Sequence, residues 1–97
     1  MAIEQMKTFY LYILKCSDGS YYTGHTDDLE KRLAEHGEGY CEYTVKRLPI
    51  ELVFSDEFAT REEALGRERQ IKGWSRKKKE ALIEGNWDKL KQLAKGE

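Results

Sequence analysis

The sequence predicts one α+β domain whose elements follow the order β-β-α-β-α-α. Three observations predict it: an apolar, aromatic-rich run near the start, turn residues that lead into a second β-favouring run, and helix-capping residues before the later segments. The 97 residues are the length of one ordinary domain, and no repeat or Pro/Gly/Ser-rich linker divides them. We therefore assign 1–97 to a single domain, with a motif-bearing core over 8–84 and a C-terminal helical extension over 85–97.

The first two strands are predicted to form a hairpin. Residues 9–16 read Phe-Tyr-Leu-Tyr-Ile-Leu-Lys-Cys, a nearly continuous apolar run that is typical of a central strand covered on both faces. The turn sequence Ser-Asp-Gly-Ser follows at 17–20, and Tyr-Tyr-Thr at 21–23 again favours a strand. We expect Gly24 to end the second strand.

Capping residues and apolar spacing predict the elements that follow. Thr26, Asp27 and Asp28 supply capping oxygens, and Glu30 has capping-box spacing from Asp27, which opens a first helix over about 27–36. Residues 37–47 are predicted to be a loop with room for a short turn of helix. The apolar residues of a third strand are expected to share one face: Ile50, Leu52, Phe54 and Phe58.

The last third of the chain is predicted to be helical. A second capping box at 60–63 opens a helix that is expected to run to about Lys72. Gly73 is a helix stop, Ser75 caps the next helix, and Gly-Asn at 85–86 marks a further stop and restart. The C-terminal extension therefore has the pattern of one more helix.

Charge is nearly balanced overall but segregated along the chain. Lys and Arg total 17 against 18 Asp and Glu, and this net charge of −1 excludes a generic polycation that coats nucleic acid. Residues 66–80, however, hold seven basic and two acidic side chains, or +5, whereas 15–65 hold six basic and twelve acidic, or −6. Nucleic-acid binding would therefore depend on a local basic patch.

Cysteine usage argues against a cysteine-based zinc site, and hydropathy argues against a membrane protein. Cys16 and Cys41 have no metal-binding spacing and are expected to be ordinary reduced thiols. The first residues lack the pattern of a signal peptide, and no apolar run approaches the roughly 20 residues that cross a bilayer. We expect a cytoplasmic protein that does not enter a membrane.

One carboxylate occupies a position where packing expects an apolar side chain. Glu68 lies at helical spacing with Ala64, Leu65 and Ile71, so its side chain should turn inward, where it needs a partner. Two interpretations stay open: an ion pair at the edge of the stripe, or a ligand to a hard cation. The candidate ion-pair partners are Arg67, Arg69 and Lys72.

Other polar and aromatic residues also have both a structural and a functional interpretation. Arg32 and His36 are neighbours on the first helix, which by itself is typical of a solvated pair. Six tyrosines are explained by β-propensity and core packing as well as by chemistry. Four cations at 76–79 lie in the first turn of a predicted helix, where the dipole disfavours them, so they indicate either a phosphate ligand or a solvated face.

Five motifs follow one another along the chain: Tyr10-Leu11-Tyr12, Tyr22-Thr23-Gly24, Arg32, His36 and Ala64-Leu65-x-x-Glu68-x-x-Ile71-Lys72. In their order and spacing these motifs resemble those of the GIY-YIG endonuclease superfamily. The resemblance spans 8–84 and is closest to small stand-alone bacterial members, although the first motif reads Tyr-Leu-Tyr and no asparagine near Glu80 matches the family's late one. The small members also share Tyr43-Thr44-x-x-Arg47-x-Pro49 and Trp74-Ser75-Arg76.

The resemblance implies an α/β sandwich around a three-stranded antiparallel sheet and hydrolysis of a phosphodiester. It implies one divalent cation, Mg²⁺ or Mn²⁺, held by Glu68, and a transition-state charge neutralised by Arg32. Tyr12 is the candidate general base and Tyr22 the residue that orients water or phosphate, although which tyrosine is the base stays open. His36 is assigned to the same catalytic group.

We therefore expect a metal-dependent endonuclease that acts on DNA, with structured, damaged or single-stranded DNA as candidate substrates and RNA still open. The residues expected to bind nucleic acid are His25, Arg76, Lys77, Lys78 and Lys79. A protein partner for targeting and the oligomeric state stay open. The alternatives are a nucleic-acid-binding module with the same fold and little or no turnover, and an interaction protein in which these residues are structural.

Overall fold

The computed structural model describes residues 7–96 and has three strands and five helices within them. The elements are β1 (Phe9–Lys15), β2 (Tyr21–Thr26), α1 (Leu29–Gly37), α2 (Glu42–Val45), β3 (Glu51–Phe58), α3 (Arg61–Lys72), α4 (Arg76–Glu84) and α5 (Trp87–Gly96). The predicted order β-β-α-β-α-α is confirmed, with the short α2 in the loop after α1 and α5 as the further C-terminal helix.

The strands form an antiparallel sheet in the order β2-β1-β3, which confirms the α+β class and the central place of β1. The prediction that β2 ends at Gly24 is wrong. His25 and Thr26 continue the ladder opposite Leu11 and Tyr10, because β1 still offers pairing partners there. This extension adds His25 to an ordered strand.

The expectation that the apolar residues of β3 share one face is also wrong. The register shifts between Ile13 and Leu14, so that Ile13 pairs with Phe54, Leu14 pairs with Leu52, and Val53 is skipped. Such a bulge reverses the alternation of side chains beyond it. Leu52 is therefore 39% exposed, whereas Phe54 packs against the core.

Local polar residues set the helix ends. Asp28, one of the three predicted capping residues, caps α1 and accepts a hydrogen bond from the backbone of Lys31 at 3.1 Å, whereas the capping box predicted from Asp27 is wrong. Asp27 is engaged elsewhere, since its carboxylate pairs with Lys7 at 3.0 Å and with Arg61 at 3.4 Å. The predicted caps of the later helices, Thr60 for α3 and Ser75 for α4, are confirmed.

The core lies between the sheet and the helices α3 and α4. Leu11 and Ile13 on β1 form a buried cluster with Ile71 on α3 and Leu82 on α4. Because strand side chains alternate, Tyr12 projects to the opposite face, which is covered by α1 and α2. Among residues 7–96 no helix has the length and apolar character needed to cross a membrane.

Candidate functional site

The site begins where the side chain of Tyr12 crosses β2. Tyr12 pairs with Gly24 in the β1–β2 ladder, and its ring passes over that glycine. A Cβ atom at Gly24 would lie 2.6 Å from the Tyr12 hydroxyl oxygen, a separation that real Cβ atoms do not adopt. Gly24 is therefore required to let Tyr12 reach past the strand.

Beyond Gly24 the hydroxyl of Tyr12 joins a buried hydrogen-bond network. It lies 2.9 Å from Nε2 of His36, and Nδ1 of His36 lies 2.8 Å from Oγ1 of Thr44. Arg32 Nε donates to the same Tyr12 oxygen at 3.4 Å, and its Nη1 donates to Glu35 at 3.2 Å. Helix α1 thus brings Arg32 and His36 onto one tyrosine, and α2 brings Thr44 onto His36.

The surroundings keep this network in defined protonation states. Burial raises the pKa of Tyr12 to about 12, despite the opposing hydrogen bond from Arg32. Burial, with the nearby charge of Arg32, lowers the pKa of His36 to about 4. Burial by itself would lower the pKa of Arg32, but its bonds to Tyr12 and Glu35 raise it overall. At neutral pH, therefore, Tyr12 and His36 are uncharged and Arg32 is a cation.

Tyr22 extends the network toward the surface. Its ring centroid lies 6.3 Å from that of Tyr12, 5.1 Å from that of His36 and 5.5 Å from that of Tyr43. Burial and a contact with Cys41 raise the pKa of the Tyr22 hydroxyl. Because Tyr22 is half-buried and Tyr12 is fully buried, Tyr22 is the tyrosine that solvent reaches more easily.

Glu68 forms a second group on the other face of β2. It is buried, as the apolar stripe predicted, and its two oxygens lie 2.7 Å from His25 Nδ1 and 2.9 Å from Lys72 Nζ. Burial would raise the pKa of the carboxyl, but hydrogen bonds from His25 and Lys72 lower it below the usual value. Glu68 is therefore ionised at neutral pH, and the ion pair with Lys72 is one of those expected from the sequence.

The two groups meet along an edge strand. His25 follows Gly24 directly and points to the opposite face, so Tyr12 and Glu68 are held against adjacent positions of β2. Since β2 lies at the edge of the sheet, its outer side connects the two faces without an intervening strand. The structure thus joins Tyr12, Tyr22, Arg32 and His36 in one group and places Glu68 with His25 in another.

Glu68 has the chemistry of a magnesium or manganese ligand. No group of three or more His, Cys, Asp or Glu that could hold a metal occurs within the described part of the chain. Mg²⁺, however, commonly takes one or two protein carboxylates and completes its shell with water and substrate phosphate. An ionised carboxylate whose partner Lys72 is half exposed fits such a site, with His25 beside it.

The basic segment of α4 is partly engaged within the protein. Arg76 donates to the carbonyl of Gly19 at 2.8 Å and pairs with Glu80 at 3.2 Å, so it ties α4 to the β1–β2 turn. Lys78 lies over the ring of Trp74 at 4.5 Å. Lys77 is exposed and Lys79 partly exposed, and these two lie in the first turn of α4 as the sequence indicated.

Three further residues of the site were missed by sequence reasoning. Gly24 was interpreted as a strand end, although it provides the space for Tyr12. Thr44 is fully buried against His36, and Cys41 lies beside them, where polar contacts with Thr44 and Tyr22 help to lower the pKa of its thiol against the effect of burial. Thr44 lies inside the stretch shared with small GIY-YIG members, which was the signal that could have identified it.

Comparison with known proteins relates this geometry to one family. The family model of the GIY-YIG catalytic domain matches residues 8–81. A UPF0213 protein of Bacillus pumilus is 50% identical over 76 residues, which cover 77% of this chain and 78% of that protein. A UPF0213 protein of Haloquadratum walsbyi is 49% identical over 81 residues, which cover 81% of this chain and 90% of that protein.

Solved structures agree with the fold and with these relatives. The solution structure of a UPF0213 protein from Bacillus halodurans has a TM-score of 0.54 and 44% identity, and covers 79% of this chain and 83% of that chain. That of a protein from E. faecalis has a TM-score of 0.59 and 37% identity, and covers 86% and 90%. The chain therefore belongs to the GIY-YIG family of nucleases, with the small UPF0213 proteins among its relatives.

Proposed function

We propose that the protein is a metal-dependent endonuclease that hydrolyses phosphodiester bonds of DNA. The observation that carries the proposal is the convergence of Arg32, His36 and Tyr12 beside an edge strand whose other face holds the ionised Glu68. Metal-dependent hydrolysis of a phosphodiester uses a cation at the phosphate, a proton acceptor for water and a metal ligand. These residue types supply the three requirements.

Arg32 is assigned to the phosphate. Its guanidinium is held by Tyr12 and Glu35, so the donors that remain are presented in a fixed orientation. Charge builds on the phosphate oxygens as water adds, and an oriented cation stabilises that charge more than it stabilises the ground state. Tyr22, which solvent reaches, orients the attacking water or the phosphate.

Tyr12 is assigned as the base. A pKa of about 12 leaves almost no phenolate at neutral pH, so Tyr12 takes a proton from water only while its own proton moves toward His36 Nε2. The neutral state of His36 supports this role, since a ring that already carried a proton on Nε2 would have no lone pair there.

Glu68 is assigned as the ligand of one Mg²⁺ or Mn²⁺ ion, with His25 beside it. When bound there, such an ion polarises the scissile phosphate and stabilises the leaving oxygen. Lys77 and Lys79 are assigned to backbone phosphates away from the scissile bond, with smaller parts for Arg76 and Lys78 because both already contact the protein. Because Glu68 bonds to Nδ1 of His25, the other ring nitrogen, Nε2, is the atom of His25 assigned to nucleic acid.

A cleavage screen tests the proposal directly. Duplex, single-stranded, flap and four-way-junction DNA of one sequence, and RNA equivalents, are incubated with the purified protein and Mg²⁺, Mn²⁺ or EDTA. Metal-dependent internal cleavage of DNA is expected, and Glu68→Gln in the same preparation serves as the control for contaminating nuclease. Binding of DNA without cleavage under every metal condition would instead establish the alternative, a nucleic-acid-binding module with this fold.

A further inference from the structure

The buried hydrogen bonds around His36 constrain where each proton lies. Tyr12 is 1% exposed, and His36 and Thr44 are 0% exposed, so their protons need acceptors within the protein. The role of Arg32 is fixed by chemistry, because a guanidinium can only donate. The oxygen of Tyr12 is therefore an acceptor toward Arg32 Nε, at 3.4 Å.

The hydroxyl proton of Tyr12 then requires its own acceptor. Nε2 of His36, at 2.9 Å, can provide a lone pair. If Nε2 carried a proton instead, the tyrosine oxygen would face two donors and its own proton would lose this acceptor. A neutral imidazole that accepts at Nε2 carries its proton on Nδ1.

Thr44 completes the arrangement from the other side of the ring. Its Oγ1 lies 2.8 Å from His36 Nδ1, and the nearby thiol of Cys41, whose pKa the Thr44 hydroxyl helps to lower against the effect of burial, offers a sulfur acceptor for the threonine proton. We infer that Thr44 is a positioning residue: it accepts a hydrogen bond from Nδ1–H of His36 and thereby fixes the tautomer in which Nε2 accepts from Tyr12. Arg32, Tyr12 and His36 then each donate to an acceptor within this network.

The tautomer has a consequence for the reaction, and this consequence rests on the proposed nuclease function. As water adds to phosphorus, its O–H bond breaks and the proton joins the oxygen of Tyr12, while the Tyr12 O–H bond breaks and an N–H bond forms at Nε2 of His36. The new P–O bond forms as the bond to the leaving oxygen breaks, and that oxygen takes a proton from a second water. The opposite tautomer already holds a proton on Nε2 and blocks this transfer.

Nuclear magnetic resonance measures the tautomer without any need for activity. The chain has two histidines, so long-range ¹H–¹⁵N spectra contain two ring systems, and the spectrum of His25→Gln identifies the one from His36. At pH 7 we expect a neutral His36 ring with a protonated Nδ1 and an unprotonated Nε2. A proton on Nε2 would overturn the inference. It would leave the nuclease proposal standing, since cleavage is measured separately.

Two threonine variants test the cause of the tautomer. Thr44→Ser keeps the hydroxyl and should keep both the His36 signals and kcat. Thr44→Val keeps the shape but removes the acceptor, so Nδ1 protonation should be lost and kcat should fall about 10–100-fold with KM unchanged. A Thr44→Val protein that keeps the wild-type tautomer refutes the role of Thr44. If that variant does not fold, the spectra of the wild type and Thr44→Ser decide.

Discussion

The two sides of the edge strand β2 are built from different kinds of interaction. On the side of α1 and α2, Tyr12 and His36 are buried and are held by hydrogen bonds between uncharged groups, with the cation Arg32 at one end. On the side of α3, Glu68 is an ion between His25 and a half-exposed Lys72. We call the α1–α2 side of β2 the uncharged side, and we call the α3 side, which holds the ion pair of Glu68 and Lys72, the charged side.

This difference matters because the two kinds of interaction respond differently to a ligand. A buried uncharged network is stable only while every member keeps its partner, so its geometry is rigid. The side chain of Lys72 is half exposed, so water can take over its hydrogen bonds and Lys72 can leave Glu68 when another cation arrives. We infer that the α1–α2 side orients the reacting groups, and that the α3 side accepts the metal.

The largest expected effect on cleavage comes from replacing Glu68, on the charged side of β2. Glu68→Gln keeps the shape of the side chain but removes the ionised ligand, so metal-dependent cleavage should fall to background. Binding of Mn²⁺, followed by electron paramagnetic resonance, should be lost as well. The melting temperature should change by less than about 8 °C, the shift that 1 kcal/mol causes in a domain of this size.

Glu62→Gln is the matched control for this variant. It makes the same change on the exposed side of α3, in the first turn, and should retain both activity and metal binding. Retention of full metal-dependent turnover by Glu68→Gln would remove the assignment of Glu68 and with it the functional contrast between the two sides of β2.

On the uncharged side, removal of the Tyr12 hydroxyl should lower both the cleavage activity and the stability of the protein. Tyr12→Phe leaves His36 and Arg32 without their shared partner, which should cost about 1–3 kcal/mol of unfolding free energy. Cleavage per folded molecule should fall about 10²–10⁴-fold, the contribution of a general base. Tyr22→Phe, at a half-buried position, should be less destabilising and still lower cleavage.

Urea unfolding and single-turnover kinetics separate the two effects in these phenylalanine variants. If the activity of both tracks the folded fraction alone, the tyrosines serve packing rather than chemistry. Equal losses of stability in the two variants would contradict the different burial of Tyr12 and Tyr22.

In the proposed mechanism Arg32 contacts the substrate phosphate, so its loss should act on the transition state. Arg32→Ala should lower kcat about 10²–10³-fold, the usual loss for an oriented transition-state donor. Lys31→Ala removes the same charge from the adjacent, exposed position of α1 and should change little. A rise of KM at constant kcat would make Arg32 a substrate-binding residue instead.

Local sequence signals predicted the elements but not every boundary. The apolar run of β1 and the caps Thr60 and Ser75 act within a few residues, so the pattern alone was sufficient. The errors arose from partners distant in the chain. Asp27 lost its capping role to ion pairs with Lys7 and Arg61, each 20 or more residues away.

Sequence patterns could identify a site residue only where its side chain contradicts the pattern around it. Glu68 could be found because a carboxylate interrupts an apolar stripe. The bond between Tyr12 and His36 spans 24 residues, and that between His36 and Thr44 spans eight, so no periodicity reveals either. Gly24 has an ordinary strand role in the sequence, and its function is visible only as the space that Tyr12 fills.

The smallest expected effect concerns the lysines at the start of α4, a helix that lies on the same face of the sheet as Glu68. If Lys77 and Lys79 contact backbone phosphates, replacement by glutamine should lower the slope of log affinity against log salt by about 0.9 for each contact on duplex DNA. Lys78 should contribute less, because its amine lies over the ring of Trp74. Cleavage of already bound DNA should be almost unchanged.

Fluorescence anisotropy at several salt concentrations, with the triple variant of Lys77, Lys78 and Lys79 beside the wild type, measures this slope. Lys89→Gln with Lys91→Gln on α5 is the control, since both lysines are exposed on a different helix. A wild-type slope in the triple variant would mean that these lysines are a solvated helix face. The phosphate-binding surface would then lie with Arg32 and the loop at 37–47, and the uncharged side of β2 would both bind and orient the substrate.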